Sequence, residues 1–143
     1  MLLLLLPLAA APTIVNAYKG LIPASLWLNV TKVYVADAVV GQAPVMDVVR
    51  SINHPFKGSW VAEVQKKQPS GDFSAFCTGT GINVYTPQDN LPDAIDLDWW
   101  TYPTRCELTP GKYRVETFWI INPANYPTKE TSRRSNVFEI APG

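Results

Sequence analysis

Residues 112–121, KYRVETFWII, place Tyr113, Val115, Thr117 and Trp119 in one phase of a two-residue alternation and Lys112, Arg114 and Glu116 in the other. Successive side chains of an extended chain point to opposite faces, so this segment reads as a strand with one side on a core and the other in water. The turn residues Leu108-Thr109-Pro110-Gly111 immediately before it set where the strand begins. A lone strand is not stable, and the rest of the chain has to supply its neighbours.

The remainder reads the same way. Residues 26–36 (LWLNVTKVYVA) and 45–52 (VMDVVRSI) are rich in β-branched residues and are separated by the turn-like Gly41-Gln42-Ala43-Pro44. Residues 59–65 (SWVAEVQ) put Trp60, Ala62 and Val64 on one face and Glu63 and Gln65 on the other, up to a polar hairpin loop at 66–71. Residues 73–78 and 82–86 read as a short pair around Gly79-Thr80-Gly81, closed by Pro87. A turn-rich stretch follows from Asn122 to Thr131, and Asn136 to Ile140 reads as a terminal strand with Phe138 and Ile140 inward and Glu139 outward. With 13 prolines and 8 glycines as punctuation and no helical periodicity between strands, the spacing predicts an all-β antiparallel sandwich of about seven strands.

Leu108-x-Pro110-Gly111-x-Tyr113-x-Val115 resembles the tyrosine corner of immunoglobulin and fibronectin type III-like sandwiches, and Trp60 falls on the third expected strand, where immunoglobulin domains bury a tryptophan. The resemblance spans residues 25–141 as strand order and implies an inward Trp60 and a Tyr113 hydroxyl bonded back to the preceding backbone. Val115 stands where an antibody-type domain has cysteine, so the fibronectin-like variant fits better.

The N-terminus reads as a targeting segment. Residues 2–11 (LLLLLPLAAA) form an apolar run, and Val15-Asn16-Ala17 suits signal peptidase, which places cleavage before Tyr18; no Lys or Arg precedes the leucines. The alternative is an uncleaved anchor, disfavoured by Pro7 and Pro12. The expected layout is a signal peptide at 1–17, a linker at 18–24 and one sandwich domain at 25–141. Cys77 and Cys106 are the two cysteines, outside any CxxC, and export makes a disulfide between them their expected use, against two buried free thiols. Together these place the protein as secreted, periplasmic or otherwise in the cell envelope.

Chemistry is sparse. Lys plus Arg and Asp plus Glu each number 12, so no net field recruits nucleic acid. The single histidine, His54, sits in the loop Asn53-His54-Pro55-Phe56 with no nucleophile motif near it, and reads as exposed. Asp96 and Asp98 share a face if residues 95–99 are extended, and Asp89, Asp93, Asp96 and Asp98 form an acidic stretch that suits Ca²⁺ in charge but lacks an EF-hand spacing, so a solvated loop is the favoured reading. No cofactor, metal or catalytic residue is assigned.

Trp99-Trp100-Thr101-Tyr102 is the one aromatic cluster beside turn residues. As a strand it would point one tryptophan outward, and Trp99, Trp100 and Tyr102 are the candidate ligand-binding residues: core packing, a protein contact, and stacking on sugar rings are the readings. Asn29-Val30-Thr31 is a glycosylation sequon placed mid-strand, and Lys129 to Arg134 a small basic loop. The expected function is a non-enzymatic interaction or structural module with a protein partner or assembly, acting through loops and strand edges, with a carbohydrate-binding module as the alternative.

Overall fold

The structure is a computed structural model that describes residues 17–101 and 106–143. The leader at 1–16 lies outside the described residues. Among the described residues nine strands form: β1 (Leu28–Val35), β2 (Ala38–Val39), β3 (Val45–Ile52), β4 (Phe56–Lys67), β5 (Phe73–Tyr85), β6 (Ala94–Asp96), β7 (Gly111–Asn122), β8 (Lys129–Arg134) and β9 (Phe138–Ala141), with helix at residues 17–21, a 3-10 turn at Ala24–Leu26 and a helical turn, α1 (Leu97–Trp100), after β6. They build two sheets, one ordered β1-β3-β6 and the other β2-β9-β7-β4-β5 with β8 also on β7. The fold is all-β and two-layered, as expected, with more strands than the seven anticipated. The β2–β9 pair is parallel, the one departure from antiparallel pairing among the described residues.

Burial follows the alternation. On β7, Tyr113, Val115, Thr117, Trp119 and Ile121 are all buried. They meet Val33, Val35, Met46 and Val48 of the first sheet, and Val64, Phe138 and Ile140 of their own, in one core. β1 changes phase midway: Leu28 and Val30 point inward, then Val33 and Val35. A bulge at Thr31 absorbs the extra residue, and the Thr31 hydroxyl donates to the Val49 carbonyl (3.3 Å).

The edge of β7 away from β4 carries two strands, β9 beside Gly111–Tyr113 and β8 beside Glu116–Ile121. Between them Ser135 completes the ladder: its N–H donates to the Val115 carbonyl (2.7 Å) and its hydroxyl accepts the Val115 N–H (2.8 Å). Asn136 next to it joins the sheets. Its amide accepts the Val35 N–H (2.9 Å) and donates to the Val35 carbonyl (2.8 Å), a side chain imitating a strand partner. This is why β9 begins at Phe138 rather than at Asn136.

Three expectations are corrected. Residues 129–134 form strand β8, not a basic loop, and Lys129 is buried, its ammonium donating to the carbonyls of Lys19 (2.7 Å) and Gly20 (2.9 Å). The Gly79-Thr80-Gly81 stretch is no turn: β5 runs through it unbroken, fully paired with β4. The glycines are there because neighbours press on the strand. A Cβ on Gly79 would overlap the Trp100 carbonyl, and one on Gly81 would lie 2.5 Å from the Trp60 indole nitrogen. Finally, Trp60 lies on β4 rather than on a third strand, because Ala38–Val39 forms a short strand, and it is half-buried instead of central.

Tyr113 does what the tyrosine-corner motif implies. It is fully buried, and its hydroxyl donates to the Thr109 carbonyl four residues upstream (2.6 Å). Cys77 of β5 and Cys106 of the segment before β7 are joined in a disulfide, with Cα atoms 6.4 Å apart. Such a bond fits an oxidising, extracytoplasmic environment. Among the described residues no helix is long and apolar enough to cross a membrane.

Candidate functional cleft and sheet edge

The chain between β5 and β7 crosses from one sheet to the other. β6 pairs with β3, then α1 lays the Trp100 backbone over Gly79 of β5, and Cys106 is tied to Cys77 on the same strand. Beneath this crossover the layers part and leave a cleft of about 610 Å³. Met46 and Val48 of β3 form one wall, Trp60, Ala62, Thr117 and Trp119 of β4 and β7 the other, and Leu91, Ile95 and Trp99 the rim. Its size lies within the roughly 300–1,000 Å³ usual for small-molecule sites.

Among the described residues, Arg50 is the one cation and Asp96 the one anion lining this largely apolar space. Arg50 occupies the inward phase of β3, after Met46 and Val48, and its Nη2 donates to the Pro92 carbonyl (3.1 Å). Its Nε and Nη1 are shut off from solvent without a protein acceptor. Burial pushes the Arg50 pKa down, while Tyr85 and Asp93 act in the opposite direction. A guanidinium still keeps its proton at neutral pH. Tyr85 sits beside it, stacked on Phe56 with ring centroids 4.9 Å apart. Burial pushes its hydroxyl pKa up, opposed by the Asn83 amide that donates to its oxygen (3.4 Å). The indole N–H groups of Trp100 and Trp119 are likewise buried without an acceptor.

A second surface lies on the other side of the same sheet. β5 is its outermost strand and carries no charge from Phe73 to Tyr85. Ile82 (71% exposed) and Val84 (69%) stand on the outer face. Across the ladder Ile82 is level with Ser59 and Ile120, and Thr80 with Val61 and Phe118. Toward the β4–β5 hairpin the face turns polar, where Arg114 donates to Gln65 (2.6 Å) and Gln65 to Glu63 (2.8 Å).

The aromatic cluster is arranged differently from a strand. Trp99 and Trp100 lie on α1, with Trp99 68% exposed at the cleft rim and Trp100 2% exposed inside. Tyr102 lies outside the described residues. Asp96 ends β6 and Asp98 falls in α1, so the extended segment that would align their carboxylates does not form; Asp96 instead accepts the Trp99 N–H (3.4 Å). Asp89 closes the turn after β5 by accepting from the Thr86 N–H (2.8 Å) and hydroxyl (2.9 Å). Among the described residues no three His, Cys, Asp or Glu side chains are grouped to hold a metal ion. His54 is exposed in the β3–β4 loop.

Arg50, Tyr85 and Trp119 were not among the candidate site residues read from sequence, where Trp119 was placed only on the inward face of its strand. The available signal was a charge in the inward phase of VMDVVRSI, where Met46, Val48 and Arg50 share one face. No protein-family model matches the chain, and no curated protein matches it.

Proposed function

We propose that the protein is a non-enzymatic, extracytoplasmic binding module that engages a partner protein along β5. The observation that carries this is the uncharged, thirteen-residue edge strand with Ile82 and Val84 exposed. Edge strands of monomeric proteins are usually short, charged, bulged or covered; β5 is bulged at Phe76, and its regularly paired stretch from Cys77 to Tyr85 is an uncharged template for another strand. Here the occupant is an extended, apolar segment of the partner, adding a strand to β5 and resting side chains on Ile82, Val84 and Phe118. The sandwich is of the immunoglobulin/fibronectin type III kind, a reading supported by the Tyr113–Thr109 bond, and export is supported by the apolar leader and the disulfide. Such folds serve many functions, so the argument rests on the edge and not on the fold.

The test is affinity capture from the native compartment with the wild type and with Ile82→Lys/Val84→Lys, followed by mass spectrometry. A protein retained by the wild type and lost by the variant supports the proposal; capture that is equal with both, or none with either, overturns it. Sugar stacking has less support, because Trp100 is buried and leaves Trp99 as the single exposed ring of the pair. A glycan array with wild type and Trp99→Ala checks it, and no binding by wild type ends that reading.

A further inference from the structure

The cleft shares Thr80, Gly81, Ile82 and Asn83 of β5 with the edge just described, and what sets it apart is its unpartnered donors. Four buried side-chain nitrogens among the described residues have no acceptor: Nε and Nη1 of Arg50, and Nε1 of Trp100 and of Trp119. All four are donors, and all belong to residues lining this one cleft. A donor buried without a partner costs roughly 1–3 kcal/mol, more when charged, and a protein concentrating four around one apolar space is complementary to an acceptor placed there. Met46, Val48, Ala62, Leu91 and Ile95 give the lining a hydrocarbon surface, and besides Arg50 its one charged residue among those described is Asp96.

We propose that the cleft binds an amphipathic monocarboxylate of the fatty-acid type, its carboxylate accepting from the Arg50 guanidinium and its hydrocarbon lying between the two sheets. One cation calls for one negative charge. Asp93 is close enough to act on Arg50 electrostatically and Asp96 lines the cleft, so a doubly charged headgroup such as a phosphate monoester meets repulsion that a single carboxylate largely avoids. Charge-assisted hydrogen bonds in a water-poor site are the strong kind, which makes Arg50 the anchor and the apolar walls the source of chain-length dependence. The rim residue Trp99 then covers the chain where it meets solvent.

The test is calorimetric titration of the disulfide-bonded protein with dodecanoate, dodecanol and dodecyl phosphate, each below its aggregation concentration. Dodecanoate is expected to bind one to one and at least tenfold more tightly than either of the others. Arg50→Met is expected to abolish that preference, and Arg50→Lys to retain part of it. No saturable binding of dodecanoate, no preference over dodecanol, or a preference unchanged in Arg50→Met overturns the proposal. Because Arg50 also holds the Pro92 carbonyl, the variant's folding is checked by near-UV circular dichroism. Should it not fold, nitrogen-15 spectra of the wild type decide: dodecanoate shifts the Arg50 Nε–H and the Trp100 and Trp119 indole signals if the proposal holds, and leaves these three signals unmoved if it does not. The titrations need no partner protein, so failure here and failure of the β5 docking reading are separate results.

Discussion

The backbone carbonyl of Trp100 rests directly on the Cα of Gly79, leaving no room for a Cβ on that strand residue. This contact is where the β6–α1 crossover seats on the second sheet, and it needs glycine for space rather than for backbone conformation. Gly79→Ala is expected to destabilise the protein by about 2–3 kcal/mol, since the obstacle is backbone and cannot swing aside. Gly71→Ala, in open space but at φ 93° in the hairpin loop, is expected to cost about 1 kcal/mol. Urea denaturation of both variants measures the difference, and equal losses would refute the close approach.

Tyr113→Phe removes the hydroxyl that donates to Thr109 and leaves the ring in place against Phe138, with centroids 5.9 Å apart. The expected loss is about 1–2 kcal/mol, the cost of leaving a part-buried carbonyl without its donor. Chemical denaturation gives the value, and an unchanged midpoint would mean that the corner holds nothing.

The Cys77–Cys106 bond closes a 29-residue separation. By the chain-entropy estimate it stabilises the fold by roughly 3–4 kcal/mol. Replacing both cysteines with alanine is expected to lower the stability by about that amount and to loosen the crossover over Gly79. Hydrogen exchange of residues 94–101 reads the second effect, and exchange there unaltered by the substitution would show that the contact over Gly79 holds without the disulfide.

Tyr85 carries a pH dependence. Its pKa in the folded protein lies above the ordinary value of 10.0, so the folded state holds the proton more tightly than the unfolded chain does. Its contribution is therefore fully present below about pH 10 and is lost as the pH rises from there through the folded-state pKa. Stability measured by urea denaturation between pH 9 and 11.5 is expected to fall less steeply in Tyr85→Phe than in wild type. Parallel curves would exclude a buried, proton-holding Tyr85.

Much of this architecture was legible in local pattern. The alternations in residues 45–52 and 112–121 set strand positions and inward faces, because a two-residue period admits one solution when one side is buried. Tyr113 and its turn announced their own hydrogen bond, and two cysteines outside any metal or redox motif left one pairing. Elsewhere local signals misled. Glycine in Gly79-Thr80-Gly81 suggests a turn when only the chain is visible, and Lys129 to Arg134 suggests solvent because the carbonyls of Lys19 and Gly20, more than a hundred residues away, are not.

By itself, then, the sequence determined an all-β chain, its main strands, the Tyr113 corner and the candidate cysteine pair, all of which depend on neighbours a few residues apart or on residue type. Tertiary structure alone decided that β5 runs as one strand along a sheet edge, that Trp99 and Trp100 sit on a helical turn with one ring out and one in, and that Arg50 lines a largely apolar cleft. Those outcomes depend on which distant backbone or ring lies opposite a given residue, and close packing between two sheets is settled only when both are in place.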